Sequence, residues 1–353
     1  LIFDEERDLI ISFFIIVGYG WNRMELTSLL QLAFEHHASD LYLSTGLVPY
    51  LRVDGVLQAL SLPVLDKALI QEMLRPWMSQ DLYNTEVDFV SELQDVMRFR
   101  GHVFQHHRGV SAVFRLIPFL IPTLETLGLP LALKKVMHYP KGLVLVTGPT
   151  GSGKSTTLAA LLDYVNTTCR LHVVTLEDPI EFVHSSRQSI IHQREVYRDT
   201  ASFQQGLKAV LREDPDVVFV GELRDAETIR LALTAAETGH LVLATLHTNS
   251  ATATIHRLVD VFSGDDKAWI RGMLAESLQA VIAQVLVKKK EGGRVAVMEM
   301  MLASPAIRHL IREDKIEQLQ SVIETSQAQG MMTAAQHLKR LYAEGVHIET
   351  EGV

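Results

Sequence analysis

The chain has 353 residues, more than one compact core of roughly 100 to 200 residues usually holds, so two domains are expected. Its 47% hydrophobic and 21% charged residues exclude a disordered chain and a membrane bundle. A net charge of −9 gives no global attraction to nucleic acid or anionic lipid; the single cysteine, Cys169, excludes an intramolecular disulfide and a four-cysteine zinc site, and fits a reducing compartment, the cytoplasm by default.

The chain opens with an apolar run of Ile10, Ile11, Phe13, Phe14, Ile15, Ile16 and Val17. It is shorter than the about 20 apolar residues that span a bilayer, and it lacks the basic lead and cleavage site of a signal peptide. Because a new pattern starts at Met24, residues 1–23 read as an upstream or non-native extension, the alternative being an extra strand or interaction arm. From Met24, Leu26, Leu29, Leu30, Ala33 and Phe34 recur at helical spacing up to His37. Residues 39–43 alternate polar with apolar, and 49–57 read as two strands about the Asp54-Gly55 turn. A helical patch over 65–82 and strands at 88–90, 98–105 and 111–116 complete a small α+β unit, expected over 24–120. Pro118, Pro122 and Pro130 then mark a linker, because proline interrupts both helix and sheet hydrogen bonding.

From 121 to 353 the pattern becomes α/β. Apolar runs at 143–146, 172–176, 217–220, 241–245 and 295–300 alternate with helical segments, predicting a largely parallel sheet covered on both faces. The tail, 305–341, reads as amphipathic helix. Within this half, Gly148-Pro149-Thr150-Gly151-Ser152-Gly153-Lys154-Ser155-Thr156 satisfies the P-loop pattern G-x-x-x-x-G-K-[ST], with a strand before it and a helix after it. The glycines let the backbone fold into a nest of N–H donors for phosphate oxygens, and the helix N-terminus adds partial positive charge. Lys154 is expected to hold the β- and γ-phosphates of ATP and Ser155 to ligate Mg²⁺.

Two strand ends supply carboxylates. The run 217–220 ends in Gly221-Glu222 and has the shape of a Walker B strand, although Gly221 stands where an Asp usually contacts Mg²⁺ through water. Glu222 is therefore the candidate to orient or deprotonate the attacking water. After the strand 172–176 come Glu177, Asp178 and Glu181, at the edge where open α/β sheets bind ligands; Glu177 and Asp178 are candidates for Mg²⁺ or its waters, and Glu181 reads equally well as a surface carboxylate. His240 and His247 flank the strand 241–245, and either imidazole is open to sensing the γ-phosphate, to contacting a neighbouring subunit or to a structural reading.

Together these segments resemble the type IV pilus retraction ATPases (PilT) of the bacterial secretion ATPase superfamily. The likeness covers residues 24–341 and includes 38–43, 49–55, the acidic segment 177–181, Gln193-Arg194-Glu195-Val196, 211–216, Gly221-Glu222-Leu223-Arg224-Asp225, the histidine segment 240–251 and Ala306-Ile307-Arg308-His309-Leu310-Ile311-Arg312-Glu313. The last looks like the retraction family's own C-terminal signature, with His309 where Asn is usual. The resemblance implies a PAS-like α+β N-terminal domain joined to a RecA-like P-loop ATPase domain, and a homo-hexamer with ATP between subunits. Such a ring acts at the cytoplasmic face of the inner membrane on a pilus platform protein, with an accessory retraction ATPase as a further partner. It places Glu177 at the metal and water site, makes Glu222 the catalytic glutamate, and lines the nucleotide pocket with His240 and His247. Arg115, Arg194 and Arg198 become candidates to stabilise the transferring phosphoryl group. Pilus-assembly and type II secretion ATPases share these motifs but typically carry a four-cysteine zinc insertion and a longer N-terminal extension, both missing from the pattern seen here. A DNA translocase would call for a basic pore, and Lys288-Lys289-Lys290 is the chain's one cationic run, so no nucleic acid is expected.

Overall fold

The computed structural model describes residues 25–77, 86–93, 96–130 and 132–348. The expectation for 1–23 lies outside these residues. The chain divides into two compact units between Leu120 and Ile121.

Among the described residues the first unit is a six-stranded antiparallel sheet carrying two α-helices. Helix α1 (Leu26–Glu35) buries Leu26, Leu29, Leu30 and Ala33, the apolar stripe read from the sequence, while Phe34 stays exposed. The strands are β1 (Asp40–Ser44), β2 (Tyr50–Val53), β3 (Val56–Ala59), β4 (Val87–Leu93), β5 (Met97–His106) and β6 (Gly109–Pro118), in the order β3-β2-β1-β6-β5-β4. Asp54 and Gly55, both at positive φ, close the two-residue turn between β2 and β3. Helix α2 (Lys67–Leu74) begins at Asp66, whose carboxylate accepts the Leu69 N–H at 2.8 Å. It is shorter than the expected 65–82 patch: a 3₁₀ turn at Arg75–Trp77 ends it, and residues 78–85 lie outside the described set. Phe99 and Phe114 cross edge to face at 5.9 Å in the centre of this core.

The second unit is a seven-stranded sheet of order β13-β12-β7-β11-β10-β8-β9, parallel from β12 to β9, with β13 antiparallel at one edge. The strands are β7 (Gly142–Thr147), β8 (His172–Glu177), β9 (Ile190–Glu195), β10 (Val217–Val220), β11 (Leu241–Leu246), β12 (Leu278–Lys288) and β13 (Arg294–Leu302). The central strands are buried along their whole length and send alternate side chains to two separate cores. Leu143, Leu145, Val218, Val220, Val242 and Ala244 face one core, and Val144, Val146, Val217, Phe219, Leu241 and Leu243 face the other. Helix α3 (Ala132–Val136) and helix α4 (Lys154–Thr168) cover the second face. The first face carries α5 (Phe203–Val210), α6 (Ala226–Thr238), α7 (Ala251–Asp260), α8 (Asp266–Ser277), α9 (Pro305–Arg312) and α10 (Leu319–Thr325).

The tail is three helices, with α11 (Ala334–Ala343) the last, separated by 3₁₀ turns and by a bridge between Met300 and Met332. The 306–313 signature forms most of α9. Its Arg308 guanidinium donates to the carbonyls of Ala275 at 2.6 Å, Glu276 at 2.7 Å and Ala303 at 3.1 Å, and to Gln279 Oε1 at 3.2 Å. Those bonds satisfy carbonyls in the last turn of α8 that have no partner within the helix. No described helix is long and apolar enough to cross a membrane.

Candidate functional site

Parallel strands bring their C-terminal ends to one edge of a sheet, and here that edge gathers the chemistry. Strand β7 runs into the loop 148–153, β8 ends on Glu177, β10 leads into Gly221-Glu222, and β11 leads into His247, two residues after Thr245.

The loop is shaped by its glycines and its floor. Gly148, Gly151 and Gly153 have φ of +145°, +78° and +87°. A Cβ on Gly148 would stand 2.1 Å from the backbone oxygen of Gln284 on β12, so only hydrogen fits there. Gly153 sits at the N-cap of α4, and the helix dipole therefore points its positive end into the loop. The Ser152 hydroxyl is buried and has no hydrogen-bond partner among the described residues. Lys154 Nζ donates to Gly148 O at 2.8 Å and to Pro149 O at 3.0 Å, and lies 3.5 Å from His247 Nδ1. Burial pushes its pKa down, and the charges of Glu222 and Glu181 work against that shift, which places both carboxylates around the ammonium.

Glu222 is held from two sides. Its Oε2 accepts from Arg224 Nε at 2.8 Å, and its Oε1 lies 3.3 Å from His247 Nε2. His247 thus stands between Lys154 and Glu222, with Nδ1 toward the ammonium and Nε2 toward the carboxylate. The backbone on either side of Glu222 is tied to β11: Thr245 Oγ1 donates to Gly221 O, and the Leu223 N–H donates to Thr245 O at 3.1 Å. The departure at Gly221 has a steric reason. A Cβ there would approach Leu176 O to 3.2 Å and Glu177 Cα to 3.4 Å, so a side chain would press on the backbone of β8.

Glu177 is 8% exposed and lies at the end of β8. Its Oε1 accepts from Thr175 Oγ1 at 2.7 Å and from Gln193 Nε2 at 3.0 Å. Burial raises its pKa to about 7, against the lowering effect of those two donors, so its charge is poised near neutral pH. Asp178 is paired at 4.0 Å with Arg224. Ser155 lies in the first turn of α4. Among the described residues no group of three or more His, Cys, Asp or Glu side chains could hold a metal. A hard cation such as magnesium takes oxygen donors, and Ser155, Glu177 and Asp178 would offer it a hydroxyl and two carboxylates.

The remaining expected residues make other contacts. His240 lies at the opposite end of β11 from His247. It precedes β11, packed on the end of α6 through Nδ1 and Ala235 O at 3.0 Å, and its own carbonyl accepts from Gly142 at the start of β7. Six buried strand residues carry the chain about 20 Å from His240 to His247, so the two imidazoles lie at opposite edges of the sheet. Arg194 pairs with Glu213 at 2.8 Å and Arg198 with Asp199 at 3.1 Å, and Arg115, in the first unit, pairs with Asp40 at 3.2 Å.

Sequence reasoning missed three supports of the site: Gln193, which holds Glu177; Thr245, which holds residues 221 and 223; and Gln284, whose amide reaches under the loop. Gln193 stands out in the sequence only as part of a motif. An amide between Ala283 and Val285, inside the otherwise apolar run 280–287, is the signal for Gln284.

A glycine-lined loop between a buried strand and a helix, a lysine folded over it, and a glutamate at the adjoining strand ends define a RecA-like P-loop nucleoside triphosphatase. The comparisons narrow the class. The family model described as "Type II/IV secretion system protein" matches residues 24–351. The chain is 54% identical over 328 residues to the type IV pilus retraction ATPase PilT of Pseudomonas aeruginosa, covering 92% of this chain and 95% of that one. It is 51% identical over 304 residues to a twitching motility protein of Neisseria gonorrhoeae, covering 84% of this chain and 81% of that one. A crystal structure of the pilus retraction motor PilT with bound ADP superposes with a TM-score of 0.82 at 43% identity, covering 93% of this chain and 95% of that chain. The chain belongs to the type II/IV secretion system protein family and, within it, to the pilus retraction ATPases.

Proposed function

We propose that this chain is the ATP-hydrolysing motor of type IV pilus retraction, and so of twitching motility. The observation that carries the reading is the convergence of Lys154 and Glu222 on the His247 imidazole, at 3.5 and 3.3 Å, beside a glycine-lined phosphate loop. Relatives named for pilus retraction and twitching motility support it.

In this reading the loop N–H groups hold the β- and γ-phosphates of ATP, and Lys154 exchanges the Gly148 and Pro149 carbonyls for phosphate oxygens. Ser155 would hold Mg²⁺, with Glu177 and Asp178 reaching its waters; when bound, the ion neutralises charge on the β- and γ-phosphates. Glu222 orients the attacking water and takes its proton. His247 reports to Glu222 the position of Lys154, because one ring contacts both. Arg194, Arg198 and Arg115 are offered to a neighbouring subunit or domain, where an arginine stabilises charge on the transferring group. The working form is a homo-hexamer at the cytoplasmic, inner-membrane base of the pilus machine, acting on a platform protein and cooperating with an accessory retraction ATPase. If an arginine crosses between subunits, hydrolysis at one site depends on its neighbour's position, and turnover becomes ordered motion.

The test is a deletion strain complemented with wild type or Lys154→Ala, scored for surface pili and twitching. The expected result is excess pili without movement in the deletion and in the Lys154→Ala strain. Normal piliation with normal motility overturns the proposal.

A further inference from the structure

Gln284 is fully enclosed beneath the phosphate loop, 2% exposed, on a strand whose other neighbours are apolar. Its side-chain amide makes two bonds. Nε2 donates to Ser152 O at 2.7 Å, and Oε1 accepts from Thr157 Oγ1 at 3.0 Å. Thr157 lies in the first turn of α4 and is itself 2% exposed. The amide thus ties the loop's carbonyl to the helix that follows it, and because that carbonyl can only accept, it fixes Nε2 as the end of the amide that faces the loop.

The peptide plane between Ser152 and Gly153 gives this a consequence for nucleotide binding. Carbonyl and N–H of a trans peptide point in opposite directions, so pulling Ser152 O toward Gln284 aims the Gly153 N–H away from it, to the loop's open side. Gly153 tolerates both signs of φ, so the local backbone by itself does little to secure that orientation. A turned plane would present a carbonyl where phosphate needs a donor. We propose that Gln284 is a positioning residue for the triphosphate: it holds the Ser152–Gly153 peptide with its N–H toward the phosphates. The inference rests on the P-loop binding nucleotide, and it adds a residue on β12 to the machinery that orients the loop.

The experiment is calorimetric titration of ADP, and of adenosine as a probe lacking phosphate, into the full-length wild type, Gln284→Glu, Gln284→Met and Thr157→Val. In Gln284→Glu the ionised carboxylate would set an acceptor against Ser152 O, and in Gln284→Met both bonds are removed at similar volume. ADP affinity should fall roughly 10- to 100-fold in both Gln284 variants and several-fold in Thr157→Val, with adenosine binding unchanged. Protonation gives a carboxyl group an O–H donor, so the Gln284→Glu deficit relative to wild type should shrink as pH falls from about 8 to about 6, while the Gln284→Met deficit stays constant. A merely structural role moves neither the phosphate dependence nor this pH ratio. Folded Gln284 variants that bind ADP as wild type does overturn the inference, as does an equal loss for adenosine and ADP; if they do not fold, undiminished ADP affinity in Thr157→Val overturns it. Failure of the wild type itself to bind ADP would instead strike the functional proposal.

Discussion

Replacing Glu177 with glutamine should change how the stability of the protein depends on pH. In the folded chain the Glu177 carboxyl titrates at about 7 rather than the ordinary 4.5, chiefly because it is buried. A raised carboxyl pKa means that the folded state holds its proton longer than the unfolded state does. The carboxyl is therefore no burden below the unfolded value, and its ionisation costs stability progressively as pH rises from about 4.5 to about 7. The full penalty amounts to about 3 kcal/mol at roughly 1.36 kcal/mol per pH unit of separation. The amide introduced by Glu177→Gln keeps an oxygen to accept from Thr175 and Gln193 but cannot ionise. Urea unfolding of nucleotide-free wild type and Glu177→Gln, followed by circular dichroism, should show the variant gaining about 2 to 3 kcal/mol on the wild type between roughly pH 5 and pH 8. Any constant offset from the lost charge cancels in that comparison. Parallel pH profiles for the two proteins would refute the argument that burial dominates at Glu177.

Three further outcomes follow from the geometry. Glu222→Gln should bind ADP within a few-fold of wild type while ATP turnover falls by about 10²- to 10⁴-fold in a phosphate-release assay, and undiminished turnover removes Glu222 from its role. Gly148→Ala drives a methyl group onto the Gln284 backbone oxygen at a φ suited to glycine, so it should lower unfolding free energy by about 2 kcal/mol or more and abolish ADP binding in calorimetry. Arg308→Met orphans the Ala275 and Glu276 carbonyls and should cost about 1 to 3 kcal/mol in urea unfolding, a loss that an unchanged midpoint would contradict.

The parts of the site legible in the sequence are those whose geometry is local. A strand, three glycines, Lys154 and a helix within about a dozen residues leave the backbone little choice, and Glu222 stands at the end of a four-residue apolar strand that can only be interior. The supports were hidden because they depend on which strands are neighbours. Gln284 lies 132 residues beyond Ser152, and its role exists because β12 pairs with β7. Strand β12 itself was not among the expected strands, since a run such as Val281, Ile282, Val285 and Val287 has no periodicity that distinguishes a buried strand from a buried helix. Strand β9 escaped notice because Ile190 and Ile191 are followed by His192, Gln193, Arg194 and Glu195, which read as a loop.

The double tie from Thr245 to the residues flanking Glu222 bears on how the site responds to movement. His247 follows Thr245 by two positions, so acid group and imidazole are mounted on a common handle, the tip of β11. Any displacement that reaches this tip shifts both together relative to Lys154. On the roles proposed for these residues, a small shift of one strand end would move acid and imidazole against Lys154 in a single step.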